Sequence, residues 1–167
     1  MQEYLILVDE NDAEIGQMEK MEAHEKGLLH RAFSVVIYNS KGEMLLQQRA
    51  AGKYHSPLLW TNACCGHPRP GEETVNAATR RLKEENGFTC ELKESFVFQY
   101  KAAFENGLTE NEIDHVFIGH YDGEIPFNPE EANAVQWLTM QEITNKVSEN
   151  PDGFTVWFKI LLQEMTV

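Results

Sequence analysis

The stretch Leu59 to Phe88, LWTNACCGHPRPGEETVNAATRRLKEENGF, constrains this chain more than any other part of it. The adjacent cysteines Cys64 and Cys65 are followed by Gly66 and His67, then by a Pro/Gly turn, then by a segment whose helix signals agree. Pro70-Gly71 breaks the chain, and Glu72 and Glu73 stand where the positive end of a helix dipole favours anions. Gly87 stands where a left-handed C-terminal cap would. Val75, Ala78 and Leu82 recur at helical spacing and so face a core. The other face carries Arg80, Arg81, Glu84 and Glu85, paired Arg80–Glu84 and Arg81–Glu85 one turn apart. Taken alone, that pattern reads as a solvated, salt-bridged helix face.

A chain of 167 residues suits one domain with one filled core. Its 14 basic against 27 acidic residues argue against nucleic acid or an anionic membrane as partner. Any site that takes an anion must therefore reverse the field locally, with cations or metals. Tyr4 to Val8 is too short an apolar run, too closely flanked by acids, to serve as a signal peptide, and no run approaches membrane-spanning length. Three cysteines, two of them vicinal, make no disulfide framework. The expected compartment is the reducing cytoplasm, where a thiol is available for chemistry.

Along the chain, Tyr4–Val8 reads as a short buried strand, and Gln17–His24 as a short helix or irregular excursion stopped at Gly27. Arg31–Tyr38 and Glu43–Arg49 read as a hairpin joined by Asn39-Ser40-Lys41-Gly42. A long loop, Ala50–Trp60, leads into the constraining stretch. Beyond its helix come a strand near Thr89–Leu92, a longer one over Ser95–Phe104, a turn at Glu105-Asn106-Gly107, and strands over Thr109–Tyr121 and Ala134–Leu138. Thr139 and Glu142 form a capping box for a helix to about Ser148, and Pro151-Asp152-Gly153 separates it from a last helix, Phe154–Met165. The sum is a mixed α/β chain, a central sheet with helices packed against it.

Of six histidines, His24, His30 and His67 stand out by their company, although each taken singly is an ordinary surface or core histidine. Glu110 and Glu112, two apart on a strand, project from one face, and carboxylates that close repel unless a cation or a shared proton intervenes. On an exposed strand edge the same pair would simply face water. Three imidazoles with two carboxylates would suit Zn²⁺ or Mn²⁺. Cys65 alone reads as a small buried hydrophobe.

From Gly66, five residues lead to Glu72 and seven more to Arg80, and the text continues Arg81-Leu82-Lys83-Glu84-Glu85-Asn86-Gly87-Phe88. This run resembles the Nudix signature, a loop–helix–loop that binds a divalent cation and a diphosphate. It departs from hydrolytic members at Arg81, where they carry a glutamate. Over Leu5 to Phe158, the segments His24–His30, Trp60-Thr-Asn-x-x-Cys65-Gly-His67-Pro, Arg80 to Gly87, Tyr100 and Glu110-Asn-Glu112 resemble the type 1 isopentenyl diphosphate isomerases. The resemblance implies a Nudix-like sheet sandwiched by helices over residues 1–167 and a C=C transposition between isopentenyl and dimethylallyl diphosphate. It implies His24, His30, His67, Glu110 and Glu112 as ligands of one Mn²⁺, Zn²⁺ or Mg²⁺, and Glu85 as the holder of Mg²⁺ on the substrate diphosphate.

By the same resemblance Cys65 and Glu112 exchange protons with opposite faces of the alkene, and Tyr100 is hydrogen-bonded near Glu112. Trp157 steadies the carbocation, while Lys20, Arg49, Lys53 and Arg81 grip the diphosphate. Trp60 and Trp137 are equally available aromatics, and exposed lysines and arginines are common on any surface. No role falls to Cys64, Cys90, His55, His115 or His120. The expected partner is a small isoprenoid diphosphate, with no nucleic acid or membrane, on a monomer or homodimer. Two other readings stand beside this one: a Nudix hydrolase of a diphosphate, and a catalytically silent binding domain with a structural metal.

Overall fold

Residues 2–53 and 55–165 are described by a computed structural model. The strands are β1 (Tyr4–Val8), β2 (Glu14–Glu19), β3 (His30–Tyr38), β4 (Met44–Arg49), β5 (Trp60–Asn62), β6 (Cys64–Gly66), β7 (Lys93–Ala103), β8 (Thr109–His120) and β9 (Ala132–Leu138). The helices are α1 (Lys20–Lys26), α2 (Thr74–Asn86), α3 (Met140–Glu149) and α4 (Val156–Met165), with a single 3₁₀ turn at Pro151–Gly153. The architecture is the expected mixed α/β one.

Strand β3, HRAFSVVIY, is nearly all apolar and buried on both faces, as a strand paired on both sides should be. It runs parallel to β8 through nine successive pairs, from His30–Glu112 to Tyr38–His120. On its other side it meets β6 antiparallel, with Ser34 opposite Cys65, and touches β1 at Leu7–His30. Strand β7 is antiparallel to β8 and sets Tyr100 opposite Glu112. Alternation then sorts the side chains. Phe33, Val35 and Ile37 meet Ala77, Ala78 and Leu82 of α2 in one core, whereas Val36 and Val116 meet Ile143, Phe158 and Leu161 of α3 and α4 in the other. The face of β3 and β8 that carries Val36 and Val116 into that second core also carries His30, Ser34, Glu112 and Asp114, farther back along the same strands.

Four expectations differ from what is observed. Gln17, Met18 and Glu19 belong to β2, not to a helix, because they pair with Ile6, Leu5 and Tyr4 and cover the backbone of β1. Helix α1 starts only at Lys20 and ends on Gly27 in the left-handed region. The turn Asn39–Gly42 forms, but β3 and β4 pair only at Tyr38–Met44 before separating, since β3 gains a longer ladder from β8 and β4 from β9. Thr89–Leu92 is not a strand. Cys90 and Leu92 instead pack onto Gly119, where a Cβ would lie 2.7 Å from Cys90 Sγ and 2.8 Å from Leu92 Cδ2. Trp60–Asn62 and Cys64–Gly66, finally, form two short strands within the stretch that precedes α2.

Helix α2 is closed by Gly87 at φ 76°, its N–H donating to Lys83 O at 3.0 Å. A Cβ there would sit 2.4 Å from Pro126 O. Gly87→Ala therefore combines left-handed backbone strain with a clash against backbone, and is expected to lower the unfolding free energy by about 2 kcal/mol or more. A denaturant midpoint equal to that of the parent would contradict this account.

Candidate active site

Three elements bring a buried polar cluster together. Helix α1 presents His24, the first residue of β3 is His30, and the segment after β6 presents His67; their ring centroids lie 5.1, 5.7 and 5.0 Å apart. Strand β8 contributes Glu110 and Glu112 from one face. Asn111, between them, points the other way and donates to Gly27 O at 3.0 Å, which fixes the end of α1 beside β8. One ligand atom from each of His24, His30, His67, Glu110 and Glu112 lies within 4.8 Å of all the others. The pair is buried, so the exposed-edge reading of Glu110 and Glu112 does not hold.

The donor set fits a divalent ion. His24 Nδ1 donates to Lys20 O at 2.7 Å and His30 Nδ1 to Leu28 O at 2.9 Å, which puts the lone pair of each ring on Nε2. His30 Nε2 then lies 3.1 Å, and His67 Nε2 2.8 Å, from the same Glu112 Oε2. Lone pairs aimed at a carboxylate oxygen need a proton or a cation among them. In the metal-free cluster that role falls to a proton: burial, reinforced by the neighbouring Glu110 charge, holds the Glu112 carboxyl well above the usual carboxylate range. Burial opposes the Glu110 charge too, but its close contacts with Glu112, His24 and His55 outweigh it and hold that group low. Burial keeps His30 neutral, down to about 4, and pushes His67 well below its ordinary value, whereas at His24 burial is outweighed by the Glu110 carboxylate, which raises that ring. The neutral imidazoles of His30 and His67 and the buried carboxylates are donors that Zn²⁺, Mn²⁺ or Mg²⁺ would take, with the His24 proton released on binding.

Beside this cluster opens a cavity of about 230 Å³, lined by Cys65, His67, Glu85, Tyr100, Glu110, Glu112 and Trp157 and by Lys20, Arg49, Lys53 and Arg81. Tyr100 Oη lies 2.7 Å from Glu112 Oε1 and 3.3 Å from Glu110 Oε2. The Cys65 thiol is 3.3 Å from Asn62 Oδ1 and 3.5 Å from Ser34 Oγ. Asn62 donates both amide hydrogens to backbone carbonyls, Val35 O at 2.9 Å and Cys64 O at 3.0 Å, so its oxygen is the atom turned to the thiol. Ser34 donates to Asp114 Oδ2 at 2.8 Å, leaving a lone pair toward sulfur. Burial first, and the Asp114 charge second, keep that thiol protonated.

Lys20, Lys53 and Arg81 at the cavity are each paired with carboxylates. Lys20 pairs with Glu3 at 3.3 Å, and Lys53 pairs with Glu131. Arg81 reaches Glu84 at 2.6 Å, Glu85 at 2.9 Å and Glu131 at 3.0 Å. The Arg49 guanidinium carbon lies 5.1 Å from the Trp157 ring centroid. Of the three tryptophans only Trp157 lines the cavity: Trp60 lies by a separate groove with Phe154, and Trp137 packs on the α2 side of the sheet. The α2 face is not simply solvated, since Glu85 is 4% exposed and accepts from Gln47 at 2.9 Å.

Four participants escaped sequence reasoning. Asp114 continues the two-residue alternation of Glu110 and Glu112, a signal that was there to follow. Burial raises its carboxyl to about 7, with the Glu110 charge adding to it. Asn62 and Ser34 are pinned by register, and His55 sits in the long loop, where no periodicity marks it. No helix among the described residues is long and apolar enough to cross a membrane.

The profile of the NUDIX domain matches residues 28–158. The chain is 50% identical over 165 residues to an isopentenyl-diphosphate Delta-isomerase of Serratia proteamaculans, covering 99% of this chain and 92% of the relative. It is 47% identical to an isopentenyl-diphosphate Delta-isomerase of Aromatoleum aromaticum, covering 99% and 87%. In three dimensions it resembles a crystal structure from Deinococcus radiodurans, with a TM-score of 0.81 at 21% identity over 97% of this chain and 98% of the other. A MutT protein from Methanosarcina mazei aligns with a TM-score of 0.66 at 19% identity, over 81% and 91%. At these identities the two structures speak for the fold alone.

A divalent ion added to the chelator-stripped chain should stabilise it, by about 2.7 kcal/mol at one hundred times its dissociation constant. Its affinity should fall on acidification, because the ion must displace the proton that burial keeps on Glu112. Thermal unfolding with and without Mn²⁺ at pH 6 and pH 8 checks both; no shift at either pH would exclude the cluster as an ion site.

Proposed function

The chain belongs to the NUDIX family and, within it, to the isopentenyl-diphosphate Delta-isomerases, and from that premise we propose how its residues divide the reaction. The enzyme interconverts isopentenyl and dimethylallyl diphosphate. A proton adds to the terminal alkene carbon C4, leaving a tertiary cation at C3, and loss of a C2 proton then forms the new double bond. An alkene is a very weak base, so the step requires a held proton, a dry cavity and a surface that tolerates a cation.

The observation that carries this division is that Cys65 and Glu112 open onto one cavity, the thiol kept protonated by burial and Glu112 set among the histidines, where a bound ion would take the place of its proton and leave a carboxylate able to accept one. One delivers a proton to the alkene and the other accepts the C2 proton, from opposite faces of the flat carbon skeleton. Asn62 and Ser34 hold the thiol, and Tyr100 holds Glu112 by its hydroxyl. The Trp157 indole, already facing the Arg49 guanidinium, presents a π-surface to the carbocation, worth roughly 2 kcal/mol when desolvated. Lys20, Arg49, Lys53 and Arg81 bind the diphosphate.

His24, His30, His67, Glu110 and Glu112 would hold one Mn²⁺, Zn²⁺ or Mg²⁺, and Glu85 would hold Mg²⁺ arriving with the diphosphate. Ions there supply positive charge that offsets the buried carboxylates and neutralises the pyrophosphate. The substrate is a small isoprenoid diphosphate, not nucleic acid or lipid surface, and the three free thiols suit a cytoplasmic enzyme. Arg81 speaks against hydrolysis: it fills a position where hydrolytic members carry a carboxylate, and it is itself tied to Glu85 and Glu131.

Cys65→Ala should keep its fold and bound ion and lose isomerisation by at least a hundredfold, because a smaller residue is accommodated at the cavity wall. Proton exchange followed by NMR in D₂O reports label entering C2 and C4 in the parent and neither in the variant. Normal turnover by Cys65→Ala would remove the thiol from the reaction. Glu112→Gln should weaken ion retention and turnover together, since one carboxylate serves both. Phosphate release from a panel of diphosphates, with isopentenyl diphosphate left unchanged, would instead establish hydrolysis.

A further inference from the structure

His55 lies in the loop between β4 and β5, a place where side chains ordinarily face water. Here it is buried, 5% exposed. Its ring stacks on Phe104, with centroids 4.7 Å apart and planes 6° from parallel, and meets Trp157 edge-on at 5.4 Å and 82°. Its Nδ1 lies 3.3 Å from Ser56 Oγ, its Nε2 lies 2.9 Å from Glu110 Oε1, and its backbone carbonyl accepts from Arg49 Nη2 at 3.2 Å. If the Ser56 hydroxyl donates to Nδ1, the neutral ring carries its hydrogen on Nε2, the nitrogen that faces Glu110 Oε1. The other oxygen of that carboxylate, Oε2, is the one turned to His24, 3.8 Å away.

We propose that His55 is a positioning residue: its ring, wedged between Phe104 and Trp157, donates a hydrogen bond that turns Glu110 Oε2 into the histidine cluster as an ion ligand. A carboxylate free to rotate would spread its two oxygens over many orientations, and a donor fixed by two aromatic walls removes that freedom. The same ring braces the Trp157 edge and, through its carbonyl, the Arg49 side chain. One loop residue thereby joins the ion cluster, the aromatic wall and one diphosphate cation.

The inference rests on the cluster being an ion site, as proposed above, and the test keeps the two apart. Mn²⁺ alone is titrated into the chelator-stripped full chain and the free ion read by electron paramagnetic resonance, for the parent, His55→Phe and His55→Gln. His55→Phe keeps a flat apolar ring in the slot and removes the donor, whereas His55→Gln keeps an N–H donor and removes the ring. The expected result is Mn²⁺ affinity roughly 10–100-fold weaker in His55→Phe, with turnover recovering as Mn²⁺ is raised, and partial rescue of affinity in His55→Gln. Equal affinity in parent and His55→Phe overturns the inference and leaves the isomerase reading intact. Equal losses in both variants with no recovery at high Mn²⁺ overturn it as well, because packing alone would then explain the burial. A parent chain that takes up no Mn²⁺ removes the ion site itself, and the role of His55 with it.

Discussion

Strand β3 is laid parallel against β8 so that His30 stands beside Glu112 and Ser34 beside Val116. A parallel ladder has one hydrogen-bonding register at a time, and a slip of one residue would turn every side chain to the opposite face. Glu110, Glu112 and Asp114 would then turn to the opposite face of the sheet, and Asn111 and Ile113 would turn into the polar cluster. The apolar residues Val35, Val36 and Ile37, with Val116 and Phe117, hold the register from the far end, where burial on both faces leaves little choice. The charged end of the two strands is thus kept in place by packing that takes no part in chemistry. Asn111 adds a local lock by reaching to the carbonyl of Gly27, which carries the position of β8 over to the helix bearing His24.

A second constraint is electrostatic. The chain carries a formal charge of −13, yet it must hold an anion. Pairing tempers the cations that would hold it: Lys20, Lys53 and Arg81 contact carboxylates and Arg49 an indole, and Glu131 serves Lys53 and Arg81 together. Burial does the rest. Removing the Cys65 thiol from water favours its uncharged, proton-bearing form, and the metal-free Glu112 carboxyl is favoured in its protonated form for the same reason.

Much of this was legible in the chain itself, for physical reasons that differ by residue. Helix α2 is announced by turn chemistry at Pro70-Gly71 and Gly87 and by the spacing of Ala78 and Leu82, all local properties. The capping box at Thr139 and Glu142 is likewise local and forms as written. Glu110 and Glu112 announce themselves through strand alternation, but their burial depends on β7 and α1 and is not encoded within five residues of either. The convergence of His24, His30 and His67 is non-local; only the ordered resemblance to a known family pointed to it. What stayed hidden were partners fixed by tertiary contact: Thr89–Leu92 has strand-like composition but is drawn onto Gly119, and His55 has no periodic neighbour to reveal that it turns inward.

The sharing of Glu131 between Lys53 and Arg81 has a consequence for selectivity. At rest Lys53 and Arg81 share the Glu131 carboxylate, so neither presents its full charge to a passing polyanion. A bare pyrophosphate would have to win Lys53 and Arg81 away from carboxylates that would then be left facing it. A pyrophosphate that travels with its own dication brings those carboxylates a replacement counter-charge. If these residues hold the diphosphate as proposed, the rim would favour the metallated form of its ligand.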